Sequence, residues 1–193
     1  MEEIELTDGD LVIRTYRAED AESLYEAVRE SIATVSPWLG WCHEKYSIEE
    51  SRDFIAGRVS AAQGDEWYSF AILDRHSHRY LGGVGLNFIN RIHQMANLGY
   101  WVRSTATNHG VASRATILAA RFGFERLGMQ RIEIVAATGN IASQRVAEKA
   151  GATREGVLRH RLLIDGQPQD AVIYSLVPTD LKPEAVGLSQ NPD

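Results

Sequence analysis

Two stretches of the chain combine residue types that can do chemistry. The first is Asn108-His109-Gly110-Val111-Ala112-Ser113. It lies between a run of strand formers, Leu98, Tyr100, Trp101 and Val102, and a run at helical spacing, Ala115, Leu118, Ala119 and Phe122. A helix opening there leaves its first backbone N–H groups free, and its dipole adds positive potential, so the turn suits an anionic phosphate. Gly110 lets the backbone come close to a ligand, and Asn108 is one of the few non-glycine residues that tolerate positive φ. The second stretch is Asn140-Ile141-Ala142-Ser143, which follows a strand over Arg131–Ala137. Asn140 caps a helix there, with Ile141, Val146, Ala147 and Ala150 as its inner face. Gly128 stops the first helix and Gly151 the second. Side by side, two such units put both helix starts at one edge of a sheet.

Other candidates are less constrained. Trp38 and Trp41 sit in a loop, and with Trp67 they either line a pocket or pack as core. His160 can exchange a proton near neutral pH, or it is a strand-edge histidine with no such task. His43, His76, His78 and His93 are scattered among turns without ligand spacing, so no metal site is expected. Arg154, Arg159 and Arg161 read as solvated.

The elements that must position these residues can be read in order. Leu11–Tyr16 is a strand, and Leu24, Val28 and Ile32 mark a helix over Glu19–Ile32. Pro37 punctuates the irregular stretch Ser36–Lys45. Ser47 and Glu50 form a capping box that opens a second helix. Strands over residues 66–73 and 80–90 pair as a hairpin, and Gly82, Gly83 and Gly85 hint at a bulge or a close ligand. After the two strand–helix units come a strand near Thr153–Leu158, a strand to about Ile164, an Asp165-Gly166 turn and a strand over Asp170–Leu176. The order β α α β β β α β α β β predicts a mixed α/β (α+β) fold. Its sheet is largely antiparallel, with about seven strands flanked by about four helices, unlike a doubly wound sheet. One domain over residues 1–180 with a loose tail, 181–193, is expected.

Composition narrows the function classes. The 193 residues are 44% hydrophobic and 24% charged, ordinary values for a globular protein. A net charge of −6 argues against a general nucleic-acid binder. The single cysteine, Cys42, excludes an intrachain disulfide. No apolar run approaches the ~20 residues of a membrane span, and no secretory signal is visible. The plain expectation is a cytoplasmic protein.

Together the motifs resemble the acetyl-CoA-binding core of the GNAT superfamily of N-acetyltransferases. That family has Gln/Arg-x-x-Gly-x-Gly/Ala before a long helix, and Thr107-Asn108-His109-Gly110-Val111-Ala112 stands in the matching places. Its second element, Asn-x-x-Ser/Ala followed by Glu-Lys-x-Gly, is present as Asn140-Ile141-Ala142-Ser143 and Glu148-Lys149-Ala150-Gly151. Trp38-Leu39-Gly40-Trp41 and the tail Glu155-Gly156-Val157-Leu158 to Tyr174-Ser175 are similar to the RimJ/RimL branch, the ribosomal-protein alanine/serine N-acetyltransferases. Thr107 departs from the family's Gln or Arg, and no Glu stands near Leu158–Leu162, where that branch often has one.

The resemblance implies a GNAT fold with a central strand splay, acetyl-CoA as co-substrate, and acetyl transfer to a primary amine of a protein N-terminus or small molecule. It implies that the pantetheine arm pairs with Trp101, Val102 and Arg103, with an N–H near Val102 facing the oxyanion. Asn108, His109, Gly110, Val111, Ala112 and Ser113 would cradle the phosphates, with Lys149 beside the coenzyme. Ser143 is the implied acid toward sulfur, and Asn140 would also reach the pantetheine amide. Trp38, Trp41 and Tyr100 would face the acceptor. For the base, His160, Tyr100, Glu133 and a water chain stay open. A homodimer is consistent with the family. The rival is a non-catalytic acyl-CoA-binding module with the same fold. A nucleotide-binding loop at Gly110 is a poor third, because no Lys-Ser/Thr follows it.

Overall fold

The computed structural model describes residues 3–61 and 67–181. Its strands are β1 (Glu5–Asp8), β2 (Leu11–Thr15), β3 (Tyr68–Asp74), β4 (Tyr80–Asn90), β5 (Met95–Val102), β6 (Arg131–Ala137), β7 (Thr153–Ile164) and β8 (Gln167–Leu176). Its helices are α1 (Ala21–Val35), α2 (Ile48–Ala61), α3 (Val111–Glu125) and α4 (Ile141–Lys149). One sheet holds the strands in the order β1-β2-β3-β4-β5-β6-β8-β7. Every neighbouring pair is antiparallel except β5 and β6.

The sheet has eight strands rather than about seven. The additional strand, β1, carries a single strong hydrophobe, Leu6, so period-2 patterning does not reveal it. Gly9, at φ 57°, turns it into β2, and its register runs Asp8↔Leu11 to Glu5↔Arg14.

Alternation along β3 shows why the sheet carries helices on both faces. Phe70 and Ile72 pack into the cluster that holds Ala115, Leu118, Ala119 and Phe122 of α3, all 4% exposed or less. Ala71 and Leu73 point the other way, into the cluster of Leu24, Val28 and Ile32 of α1. Phe122 meets Phe70 edge-on at 5.2 Å between ring centroids, a geometry worth about 0.5–1.5 kcal/mol beyond area burial. The Ser47 box forms as the sequence predicts: Ser47 N–H donates to Glu50 Oε2 at 2.8 Å, and Glu50 N–H to Ser47 Oγ at 3.3 Å. Ala147 of α4 and Ala150, its C-cap, are buried, but Ile141 is 52% exposed. It occupies the first turn, before the helix reaches the core. The C-terminal tail beyond Leu181 lies outside the described residues.

The feature that positions the site is the join between β5 and β6. They pair only through Met95↔Arg131, Ala96↔Ile132 and Asn97↔Glu133. Beyond Asn97 the strands separate, although β5 stays paired with β4 as far as Val102↔Gly82 and β6 with β8 as far as Ala137↔Ala171. A bulge sits at the same level. Asn87 opposes Asn97 and Asn90 opposes Met95, so Phe88 and Ile89 together face Ala96. Phe88 takes φ 50° there. A bulge bends its strand and raises local twist.

Candidate active site

A cavity of about 850 Å³ fills the gap left by the separated strands. Its walls are the facing edges of β5, from Leu98 to Val102, and of β6, from Ile134 to Ala137. The starts of α3 and α4 close one side.

The β5-to-α3 junction is left-handed at two of three successive residues, Asn108 at φ 65° and Gly110 at φ 76°. Gly110 is the N-cap and offers no side chain to the helix end. Among the described residues, the N–H groups of Val111, Ala112 and Ser113 find no acceptor, since the first helical bond runs from Arg114 N–H to Gly110 O. The Ser113 hydroxyl donates to Gly110 O at 3.0 Å. Arg114 does not serve the loop: its guanidinium turns to Asp8 and Asp10 at the β1–β2 hairpin. Positive potential here therefore comes from the backbone amides and the helix dipole.

The β6-to-α4 junction is closed by its own residues. Asn140 Oδ1 accepts the Ser143 N–H at 3.0 Å, and Gln144 Nε2 donates to Ala137 O and Thr138 O. Ser143 Oγ lies 3.0 Å from the Tyr100 hydroxyl, which donates to Ser143 O at 2.9 Å. With the phenol proton committed to that carbonyl, the Ser143 hydroxyl donates to the phenol oxygen. Burial pushes the Tyr100 phenol up to about 12, so it stays protonated at neutral pH.

The structure brings most of the predicted residues to this cavity. Trp101, Val102, Tyr100, Asn140, Ser143 and Lys149 line it, as do Asn108, Gly110, Val111, Ala112 and Ser113. Trp38 and Trp41 line it from the loop after α1. Trp38 lies against the second junction, where a Cβ on Gly139 would meet its ring at 3.5 Å. Trp41 meets Trp101 edge-on at 5.5 Å.

Four predicted residues do not line the cavity. Glu133, a candidate base, instead accepts from Arg131 Nε at 2.9 Å. Arg103 turns its guanidinium to Glu30 and Tyr80 O, and its N–H donates to Leu81 O. His109 is exposed at the tip of the loop. His160 sits in an irregularity of β7, exposed at φ 50°, with its N–H bonded to Asp170 Oδ1.

Several lining residues carry little sequence signal. Arg145 stands one turn before Lys149 on α4, and neither has an ion-pair partner among the described residues. Gly85 of β4 pairs directly with Gly99 of β5, leaving that wall without side chains. The glycines on β4 were the available clue. Among the described residues, no Asp, Glu or His lines the cavity.

A sequence model described as acetyltransferase (GNAT) domain matches residues 10–153. The chain belongs to the GNAT acetyltransferase family. It is 29% identical over 167 residues to the uncharacterized N-acetyltransferase YoaA of Bacillus subtilis, covering 86% of this chain and 93% of that one. A Vibrio cholerae structure, provisionally described as a ribosomal-protein-serine acetyltransferase, is 31% identical with a TM-score of 0.80, covering 91% and 98%. RimL, a ribosomal L7/L12 α-N-protein acetyltransferase solved with coenzyme A, has the same fold at 23% identity, with a TM-score of 0.81 and coverage of 91% and 98%. The protein is thus a GNAT N-acetyltransferase with acetyl-CoA as its co-substrate, of the RimJ/RimL-like kind. Among the described residues, no helix is long and apolar enough to cross a membrane.

Proposed function

We propose that the protein acetylates the primary amine of a peptide N-terminus or a small molecule by direct attack on the thioester of acetyl-CoA. The observation that carries this reading is the cavity at the splay: free helix-start amides on one side, a half-buried Tyr100–Ser143 pair beside it, and an aromatic wall opposite. The amides of Val111 to Ser113 hold the pyrophosphate, and Arg145 and Lys149 add cationic contacts. The open edge of β5 from Trp101 to Val102 offers backbone partners to the pantetheine amides, and a Val102 N–H faces the carbonyl oxygen as charge builds on it. Ser143, placed by Asn140 and Tyr100, turns its one hydroxyl proton from the phenol oxygen to the leaving sulfur as negative charge builds there. Trp38 and Trp41 confine the acceptor.

A protonated amine has no lone pair, and among the described residues no carboxylate or histidine lines the cavity to take its proton. The acceptor therefore loses its proton to water. For a peptide acceptor, log kcat/KM then climbs with pH until the α-amine's own pKa, about 8. Mass gain of one acetyl group across a panel of amines and N-terminal peptides is the direct test. The missing base also favours a second reading, a module that binds acyl-CoA without turning it over. Tight CoA binding with no acetylated product across the panel would establish that one.

A further inference from the structure

The acceptor side of the cavity contains a cation that neither the coenzyme nor the chemistry uses. Arg58, on α2, lines it together with Phe54, one helical turn earlier, and Trp67. Its guanidinium carbon stands 4.8 Å from the Phe54 ring centroid and 4.2 Å from that of Trp67. Its Nε is buried without a hydrogen-bond partner, and no described carboxylate pairs with the group. Desolvation holds its pKa below the ordinary arginine value, as expected for a charge taken from water without a counter-ion. Stacking on two rings accounts for the faces of the guanidinium. It does not account for the in-plane N–H edge, which is built to grip a planar oxyanion. Leaving such donors unmet in a recess is costly unless a ligand completes them.

We propose that Arg58 reads a carboxylate on the acceptor, so that the enzyme selects amines that also carry an acidic group and rejects polyamines. This rests on the cavity being the transfer site, as proposed above. The preferred class is a peptide with Asp or Glu close behind its free α-amine, or a small amino acid with a second carboxylate. Trp41, Trp67 and Phe54 hold the apolar body of such a molecule while Arg58 fixes its acidic end.

The test compares acetylation of peptides that differ only by Glu or Gln at the second or third residue, beside free glutamate and spermidine. The wild-type protein is expected to favour the Glu peptide by about tenfold or more in kcat/KM, with the difference in KM. Arg58→Gln brings that ratio to about one, Arg58→Lys restores part of it, and Arg58→Glu turns preference toward a Lys-bearing peptide. Free glutamate against the Glu peptide tells a small acidic amine from a polypeptide. Equal rates for the Glu and Gln peptides in the wild type, or a ratio that survives Arg58→Gln, would overturn the proposal while leaving acetyl transfer intact. If no amine is acetylated, the parent reading fails instead. Tryptophan quenching by an N-acetylated Glu peptide then decides: quenching lost in Arg58→Gln supports the anion site, and none in the wild type removes it.

Discussion

At Gly110 the chain enters α3 with nothing over the helix end; at Asn140 it enters α4 beneath its own carboxamide. The two junctions flank one cavity, yet one leaves its amides open and the other occupies an amide internally. In the proposed reaction the difference gives them different work. An uncapped helix start can accept an outside anion at once, because no internal bond has to break first. A capped start binds anions less readily but holds its first turn still, and Ser143 is in that turn. The Tyr100 hydroxyl fixes the same turn from the neighbouring strand. The first junction is thus suited to gripping the coenzyme, the second to aiming a hydroxyl at it.

Separate losses should follow from damage to each. Ser143→Ala is expected to lower kcat about 100-fold, the scale of one acid–base contribution, with CoA affinity nearly unchanged. Tyr100→Phe should reproduce part of that loss, because Ser143 keeps its hydroxyl but not its partner. Full turnover in Ser143→Ala would end the contrast. Gly110→Val acts on the other side. Space is not the obstacle, since a Cβ there meets only Arg114 Cδ at 4.0 Å. A branched side chain at φ 76° is strained, and relief would swing the amides out of line. CoA affinity should weaken about tenfold or more. Calorimetry showing the wild-type Kd would mean the amides do not hold the coenzyme.

A smaller effect is expected from Asn140→Ala. Removing the cap costs about 1 kcal/mol, or about 2–4 °C in melting temperature for a chain of this size. Its kcat should fall less than that of Ser143→Ala, since Tyr100 still holds the turn.

Acid should distinguish the junctions most gently. The approach to α3 is tied to α1 by Glu30, which accepts from Arg103 and from the Thr105 N–H and hydroxyl. The Arg103 guanidinium, aided by Thr105, lowers the Glu30 carboxyl from 4.5 to about 2. A carboxyl depressed on folding stabilises fully above its unfolded value. That contribution fades as pH falls from about 4.5 toward 2. The junction at Asn140 is held by Asn140, Gln144 and Tyr100, none of which titrates in that window. Hydrogen exchange should therefore open residues 103–107 before 140–147 on acidification, and Glu30→Gln should remove the pH dependence. Equal opening would show that Glu30 braces both.

The parts of this site that follow local rules were legible in advance. Asn108 and Gly110 take positive φ, Asn140 caps α4, Ser47 and Glu50 close their box, and the α3 spacing buries the residues it names. Each depends on neighbours within about four positions, where backbone sterics and one hydrogen bond decide the outcome. Elsewhere periodicity misled. Ile141 fits an inner face by spacing, but α4 meets the core only one turn later. His160 has suitable chemistry, but β7 turns it to solvent.

By itself, the sequence determined the strand–turn–helix units, their caps and the family, because turn chemistry and apolar period are written in adjacent residues. Only the tertiary structure decided where β5 leaves β6, that Tyr100 reaches Ser143 across 43 positions, and that Arg58 Nε is buried with no hydrogen-bond partner among the described residues. Those facts come from how distant segments share space around one sheet, and no local pattern encodes which side chains meet there.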